Sequence, residues 1–259
     1  MGLALARGWI AGGLPADRLV LCDPKPGDAA VAFAAEHGVR LLESPDGVLV
    51  HVLVLAVKPQ VIQEVMQQIQ HVVGGQTLVV SIAAGISLGS IGEALGTDRV
   101  VRAMPNTPAQ VGRGISGAVG LAITDNDRAT ADALLAAAGQ VVWFDDEASI
   151  DGVTAVSGSG PAYVFYMVEA LAQAAERQGF SPEQAMQLAR ATVIGAVGLL
   201  EAESDISAEQ LRINVTSPHG TTAAALEVLM APDGLAPLLD RAVNAARRRS
   251  EELGRPATG

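Results

Sequence analysis

The string Val215-Thr216-Ser217-Pro218-His219-Gly220-Thr221-Thr222 stands directly before an apolar run with helical spacing. Consecutive backbone N–H groups at a helix N-terminus form a site for anions, because the first turn leaves them without partners inside the helix. The hydroxyls of Ser217, Thr221 and Thr222 add donors around Gly220. This chemistry suits a carboxylate. The ordinary alternative is a helix cap, with Thr221 or Thr222 closing the first turn.

A second group of residues suits a dinucleotide. Such domains begin with a strand, then G-x-G-x-x-G, then a helix, and an acidic residue about 20 positions on reads the adenine ribose. Here Met1-Gly2 stands directly before a helical segment, and Asp23 closes the next β-rich run. Gly2 fits the last glycine of that fingerprint, which lets the helix pack against its strand. On this reading the first strand and the earlier glycines precede residue 1; on the other, the fold starts with a helix. Asp23 would hydrogen-bond a ribose 2′-hydroxyl and favour NAD(H). Lys25 would pair with a 2′-phosphate and favour NADP(H). On the ordinary reading Asp23 caps the next helix and Lys25 faces solvent.

Two further strings follow apolar runs, at the strand ends where ligands bind in parallel α/β sheets. Ala56-Val57-Lys58-Pro59 offers backbone to the nicotinamide half of a cofactor. In Arg102–Ala109 two prolines stiffen the loop that carries Asn106 and Thr107. The run Ser157-Gly158-Ser159-Gly160-Pro161 is not a nucleophile elbow, since G-x-S-x-G is not satisfied. It reads as a break between two helices, where backbone packs closely.

Composition removes several classes. The formal net charge is -11, so the basic face of a nucleic-acid binder is not expected. Cys22 is the single cysteine, which rules out an internal disulfide or a cysteine metal site and fits a reducing cytoplasm. His37, His51, His71 and His219 are scattered without metal-ligand spacing, so no metal is expected. Apolar stretches such as Val48–Val57 are too short to cross a bilayer.

The elements that must position these residues divide into two sets. Up to about residue 147, strand-like runs (18–22, 48–57, 77–83, 99–103, 115–123, 140–144) alternate with helix-like ones (3–10, 28–37, 59–70, 88–95, 127–138), which predicts a parallel α/β sheet. The rest reads as helix, at 161–179, 182–203, 207–214, 221–231 and 234–253, and Arg255–Gly259 is expected to fray. Domains of 1–147 and 148–259 follow. Tyr163–Ala175 and Ala189–Leu200 are apolar nearly all round. Helices of that kind in so small a domain point to burial against a second copy of the chain.

Taken together, VTSPHGTTAAAL at 215–226, RAMPNTPA, AVKP and VSGSGPAYVF resemble the pyrroline-5-carboxylate reductase family across nearly the whole chain. The resemblance implies a Rossmann-type domain followed by an all-α dimerisation domain, in homodimers that often assemble further to decamers. It implies reduction of 1-pyrroline-5-carboxylate to L-proline, with NADP(H) favoured and NAD(H) the alternative. Ser217, Gly220, Thr221 and Thr222 would hold the substrate carboxylate, and Thr222 would stand by the ring nitrogen as the catalytic residue. Gly2, Asp23, Lys25, Ala56, Val57, Lys58, Pro59 and Asn106 would line the cofactor. His219 departs from the family, where glycine is usual, and a left-handed backbone there would cost about 1 kcal/mol.

Rival readings account for less of the sequence; a purely structural helical dimer leaves the α/β half unexplained. A β-hydroxyacid dehydrogenase needs a lysine in its helical region, and this chain has none after Lys58. A non-catalytic dimeric remnant would explain an impaired glycine turn but gives no reason for the donor cluster at 217–222.

Overall fold

The computed structural model describes residues 1–254; the expected fraying of Arg255–Gly259 falls outside them. The chain forms two compact units. One is Met1–Ser159 joined by the chain from Ala246 onward, and the other is Gly160–Ala245. The final helix therefore starts in the second unit and ends in the first.

Among the described residues the first unit holds seven strands: β1 (Val20–Cys22), β2 (Arg40–Leu42), β3 (Val52–Leu55), β4 (Leu78–Ser81), β5 (Val100–Met104), β6 (Gly114–Gly120) and β7 (Gly139–Trp143). Six helices accompany them: α1 (Gly2–Ala11), α2 (Asp28–His37), α3 (Ile62–Ile69), α4 (Leu88–Leu95), α5 (Asp125–Ala136) and α6 (Ser149–Val153). The strands fall into two sheets. β1 pairs only with β2, in parallel, and the second sheet runs β3-β4-β5-β6-β7. β3, β4 and β5 are parallel, so their carboxyl ends share one edge. β6 is antiparallel to β5. The sheet is thus mixed where alternation with helices predicts a parallel one, because only the loop of residues 105–113 joins β5 to β6, and a crossover needs a dozen or more residues.

α1 spans the parting between the sheets. Leu5 packs in the core beneath β4 and β5, while Ala6 joins Leu19, Phe33 and Val39 in a smaller core on the β1 side. Two glycines make this approach possible. A Cβ on Gly2 would lie 2.8 Å from the Ala56 Cβ, and one on Gly8 would lie 2.3 Å from the Ala137 carbonyl oxygen. The side of the large sheet that carries α3 and α4 is filled by Ile62, Met66, Ile91 and Leu95.

Some elements differ from the expectation. The apolar run 48–57 gives a strand only over Val52–Leu55, where each residue has a ladder partner in β4, and Leu49 is exposed. β2 has too few residues to register as a periodic run. The segment 154–158 is a π-helical turn joining α6 to α7 (Gly160–Arg177), so Ser157-Gly158 bends a helical path and does not end it.

The second unit consists of α7, α8 (Pro182–Ala202), α9 (Ala208–Asn214), α10 (Thr221–Leu229) and most of α11 (Leu235–Leu253). Ser181 caps α8 in a capping box with Gln184, with Pro182 at the first helical position. Ser207 caps α9. α7 and α8 pack together through Ala172, Ala185 and Ala189. Among the described residues α8 is the one helix long and apolar enough, by length and composition, to cross a bilayer.

Candidate functional site

The cofactor-side residues sit at the carboxyl ends of the parallel strands of the first unit. Ala56, Val57 and Lys58 leave β3, and Pro59 opens a 3-10 turn leading into α3. Gly2 abuts Ala56, so helix α1 starts directly against the end of β3. This is the close approach that a glycine fingerprint provides for, and it fits a dinucleotide whose phosphates lie at the start of α1.

Asp23 follows β1. Its N–H donates to the Leu42 carbonyl, and its Oδ1 accepts the Lys25 N–H at 2.8 Å. The carboxylate is therefore already engaged in a turn, while its other oxygen has no such bond among those described. The neighbouring Cys22 thiol is pushed up, chiefly by burial and then by the charges of Asp23 and Asp46. The end of β1 is thus a negative environment, with Lys25 as the cation on the same turn.

Asn106 is buried, and its Oδ1 accepts the Ile115 N–H at 3.0 Å. That bond closes the loop between β5 and β6. The side-chain oxygen serves the fold. Met104, two residues earlier, packs against the π-helical turn, where a Cβ on Gly158 would lie 3.0 Å from its Cε.

Sequence reasoning missed one polar cluster in this unit. Arg102 stands mid-strand in β5, 6 % exposed, and its guanidinium donates to Glu147 Oε1 at 2.7 Å. The same oxygen accepts the Leu88 N–H at 2.8 Å, at the first turn of α4. A lone arginine inside the apolar run 100–103 was the available signal; its partner, 45 residues away, was not.

The loop of residues 215–222, expected to hold a carboxylate, belongs to the second unit. The Gly220 N–H donates to the Ser217 carbonyl at 3.0 Å, closing a turn with Pro218 and His219 at its centre. His219 has φ 59°, so the glycine-like backbone expected from its position is present. It is the one non-glycine residue with positive φ among those described. Gly220 is the N-cap of α10 and has no side-chain capping bond. Thr221 and Thr222 are the first two helical residues, so neither serves as the cap. Thr216 instead turns back, donating its hydroxyl to the Arg212 carbonyl.

Comparison with known proteins matches these two regions to two families. Residues 147–253 match the family described as pyrroline-5-carboxylate reductase dimerisation, and residues 1–85 match NADP oxidoreductase, coenzyme F420-dependent. Pyrroline-5-carboxylate reductase of Pseudomonas aeruginosa is 41% identical over 257 residues, covering 98% of this chain and 93% of that one. The chain belongs to the pyrroline-5-carboxylate reductase family. The structure of a pyrroline-5-carboxylate reductase from Coxiella burnetii superposes with a TM-score of 0.91 at 35% identity, covering 98% of this chain and 95% of that one. The Plasmodium falciparum pyrroline carboxylate reductase with NADP bound gives 0.82 at 28% identity, with the same coverage.

Proposed function

We propose the following roles in the reaction of this chain, the reduction of 1-pyrroline-5-carboxylate to L-proline. The observation that carries the assignment is the start of α10, where a glycine N-cap leaves the first N–H groups without a side-chain acceptor. The N–H groups of Thr221 and Thr222, with the hydroxyls of Ser217, Thr221 and Thr222, hold the substrate carboxylate. Gly220 keeps the approach open. Thr222, one residue deeper in the first turn, stands by the ring nitrogen as its hydrogen-bond partner. The nicotinamide, when bound, supplies the hydride to the imine carbon. Water supplies the proton on the ring nitrogen, so the chain needs no strong side-chain acid. What the protein contributes is orientation and a fixed arrangement of donors.

The cofactor is assigned to Gly2, Asp23, Lys25, Ala56, Val57, Lys58, Pro59 and Asn106. We assign NADP(H) in preference to NAD(H), with Lys25 facing the 2′-phosphate; the NADP-bound relative supports this. The carboxylates of Asp23 and Asp46 oppose that phosphate and keep the preference small. The working form is a cytoplasmic homodimer, able to assemble to a decamer, formed through the helical domain assigned to residues 148–259.

The test is steady-state kinetics with both cofactors. Thr222→Val is expected to lower kcat/KM for the imine by about 10- to 100-fold through loss of a polar contact. Asp23→Ala is expected to raise the NADPH to NADH rate ratio, and Lys25→Ala to lower it. A Thr222→Val enzyme with unchanged kcat/KM would remove the catalytic assignment.

A further inference from the structure

The turn of residues 82–87 leaves the carboxyl end of β4, between the ends of β3 and β5, so it lies on the edge assigned to the cofactor. It is held from two sides. On one side Glu147 accepts the Leu88 N–H, just past the turn, and the Arg102 guanidinium through the same oxygen. On the other side the last turn of α11 comes against Gly85. A Cβ there would lie 3.2 Å from the Leu253 carbonyl oxygen, a tight approach, and Gly85 has φ 75°, a left-handed backbone that favours glycine. α11 is itself fixed by Ser250, whose hydroxyl donates to Asp151 Oδ1 at 2.6 Å. A crevice of about 290 Å³ lined by Gly85, Ser87, Arg102, Glu147, Asp151 and Glu251 lies where these parts meet.

The Arg102–Glu147 pair is an expensive way to hold a fold. Arg102 is buried, and its Nε is a buried donor without a partner. An unsatisfied buried donor costs about 1–3 kcal/mol. Apolar side chains of similar volume often replace a buried ion pair with no loss of stability. What apolar side chains could not do is join a strand side chain and a helix N–H through one carboxylate oxygen.

We propose that Glu147 is a positioning residue for the cofactor: with Arg102 and the end of α11 it clamps the turn of residues 82–87 in the shape that receives the nicotinamide half. This rests on the cofactor edge assigned above. Glu147 touches neither substrate nor cofactor and acts through the turn.

The experiment titrates NADPH into the purified chain by calorimetry and measures kcat and KM at saturating imine. Wild type, Glu147→Ala, Glu147→Gln and Ser250→Ala are compared, with melting temperatures alongside. Glu147→Ala is expected to weaken NADPH binding about 10-fold and raise its KM in parallel, with kcat within about 2-fold at saturation. Glu147→Gln keeps a carbonyl oxygen for both donors and is expected to stay within about 3-fold of wild type. Ser250→Ala loosens the other side and is expected to weaken binding by about 3-fold; it decides the matter if Glu147→Ala does not fold. A lower melting temperature with unchanged NADPH affinity overturns the clamp. A wild-type chain that reduces the imine but binds NADPH elsewhere than this edge, as read by Gly2→Val leaving affinity unchanged, overturns the cofactor assignment itself.

Discussion

Phe33, Ile62, Met66 and Ile91 are wholly buried within the sheet unit, which fills its core from its own chain. In the helical unit the buried hydrophobic residues among those described are Ala172, Ala185 and Ala189, while Phe165, Ile194 and Val228 are 68%, 65% and 72% exposed. Both units are rich in apolar residues, yet only one buries them alone. The difference teaches where each unit's stability comes from. The sheet unit is stabilised by internal packing. The helical unit carries apolar surface of the extent that marks an interface, so under the proposed homodimer its stability depends on protomer concentration.

The largest effect should come from charging that surface. Ile194→Asp is expected to raise the dimer dissociation constant at least about 100-fold, since an unpaired charge buried in an interface costs several kcal/mol. Sedimentation velocity across a concentration series measures it, and activity should fall with the dimer. An unchanged sedimentation profile would break the comparison.

Gly8→Ala probes the other region. Its Cβ would meet the Ala137 carbonyl at 2.3 Å, so α1 must move away from α5. Overpacking of this kind costs about 1–3 kcal/mol. The loss, read as the denaturant midpoint of the sheet unit, should not depend on protein concentration.

A third test uses acid. In the sheet unit Arg99 donates to Asp127, whose side chain is 3% exposed, and Thr124 forms a capping box with the same carboxylate. The Arg99 hydrogen bond, above all, holds the Asp127 pKa at about 2, below the ordinary 3.8. A carboxyl lowered on folding contributes stability that is complete above its unfolded value and fades as pH falls through its folded value. Asp127→Asn should therefore lower the melting temperature at pH 7, with the gap to wild type narrowing as pH falls from about 4 toward 2. A gap that stays constant over that range would remove the linkage.

The smallest effect is a gain. His219 holds a left-handed backbone at the carboxylate loop. His219→Gly should relieve strain of about 1 kcal/mol in the folded state, offset by the greater freedom of glycine when unfolded. The net change in melting temperature is expected to be upward and small. A clear loss would show that the imidazole makes a contact worth more than the strain.

Much of this was legible in the chain. Leu88–Leu95 and Asp28–His37 follow from apolar spacing and from the glycines that end them in left-handed conformation, Gly96 and Gly38. The caps at Ser181 and Ser207 and the turn before Thr221 are local, since each is made by residues within four positions of one another. Other features had no local signal. Periodicity carries no strand direction, so the antiparallel β6 could not be read from it. A π-helical turn at 154–158 differs from an ordinary helix by where its hydrogen bonds close, which residue type does not announce.

By itself, then, the sequence determined the two kinds of unit and the family that joins them, because these rest on side-chain type at short spacing. The tertiary structure alone decided which distant polar groups meet. Glu147 and Arg102, Arg99 and Asp127, and Ser250 and Asp151 are brought together from positions 45, 28 and 99 residues apart. Contacts at such separations are set by how the strands and helices pack, and packing is a property of the whole core that no single segment encodes.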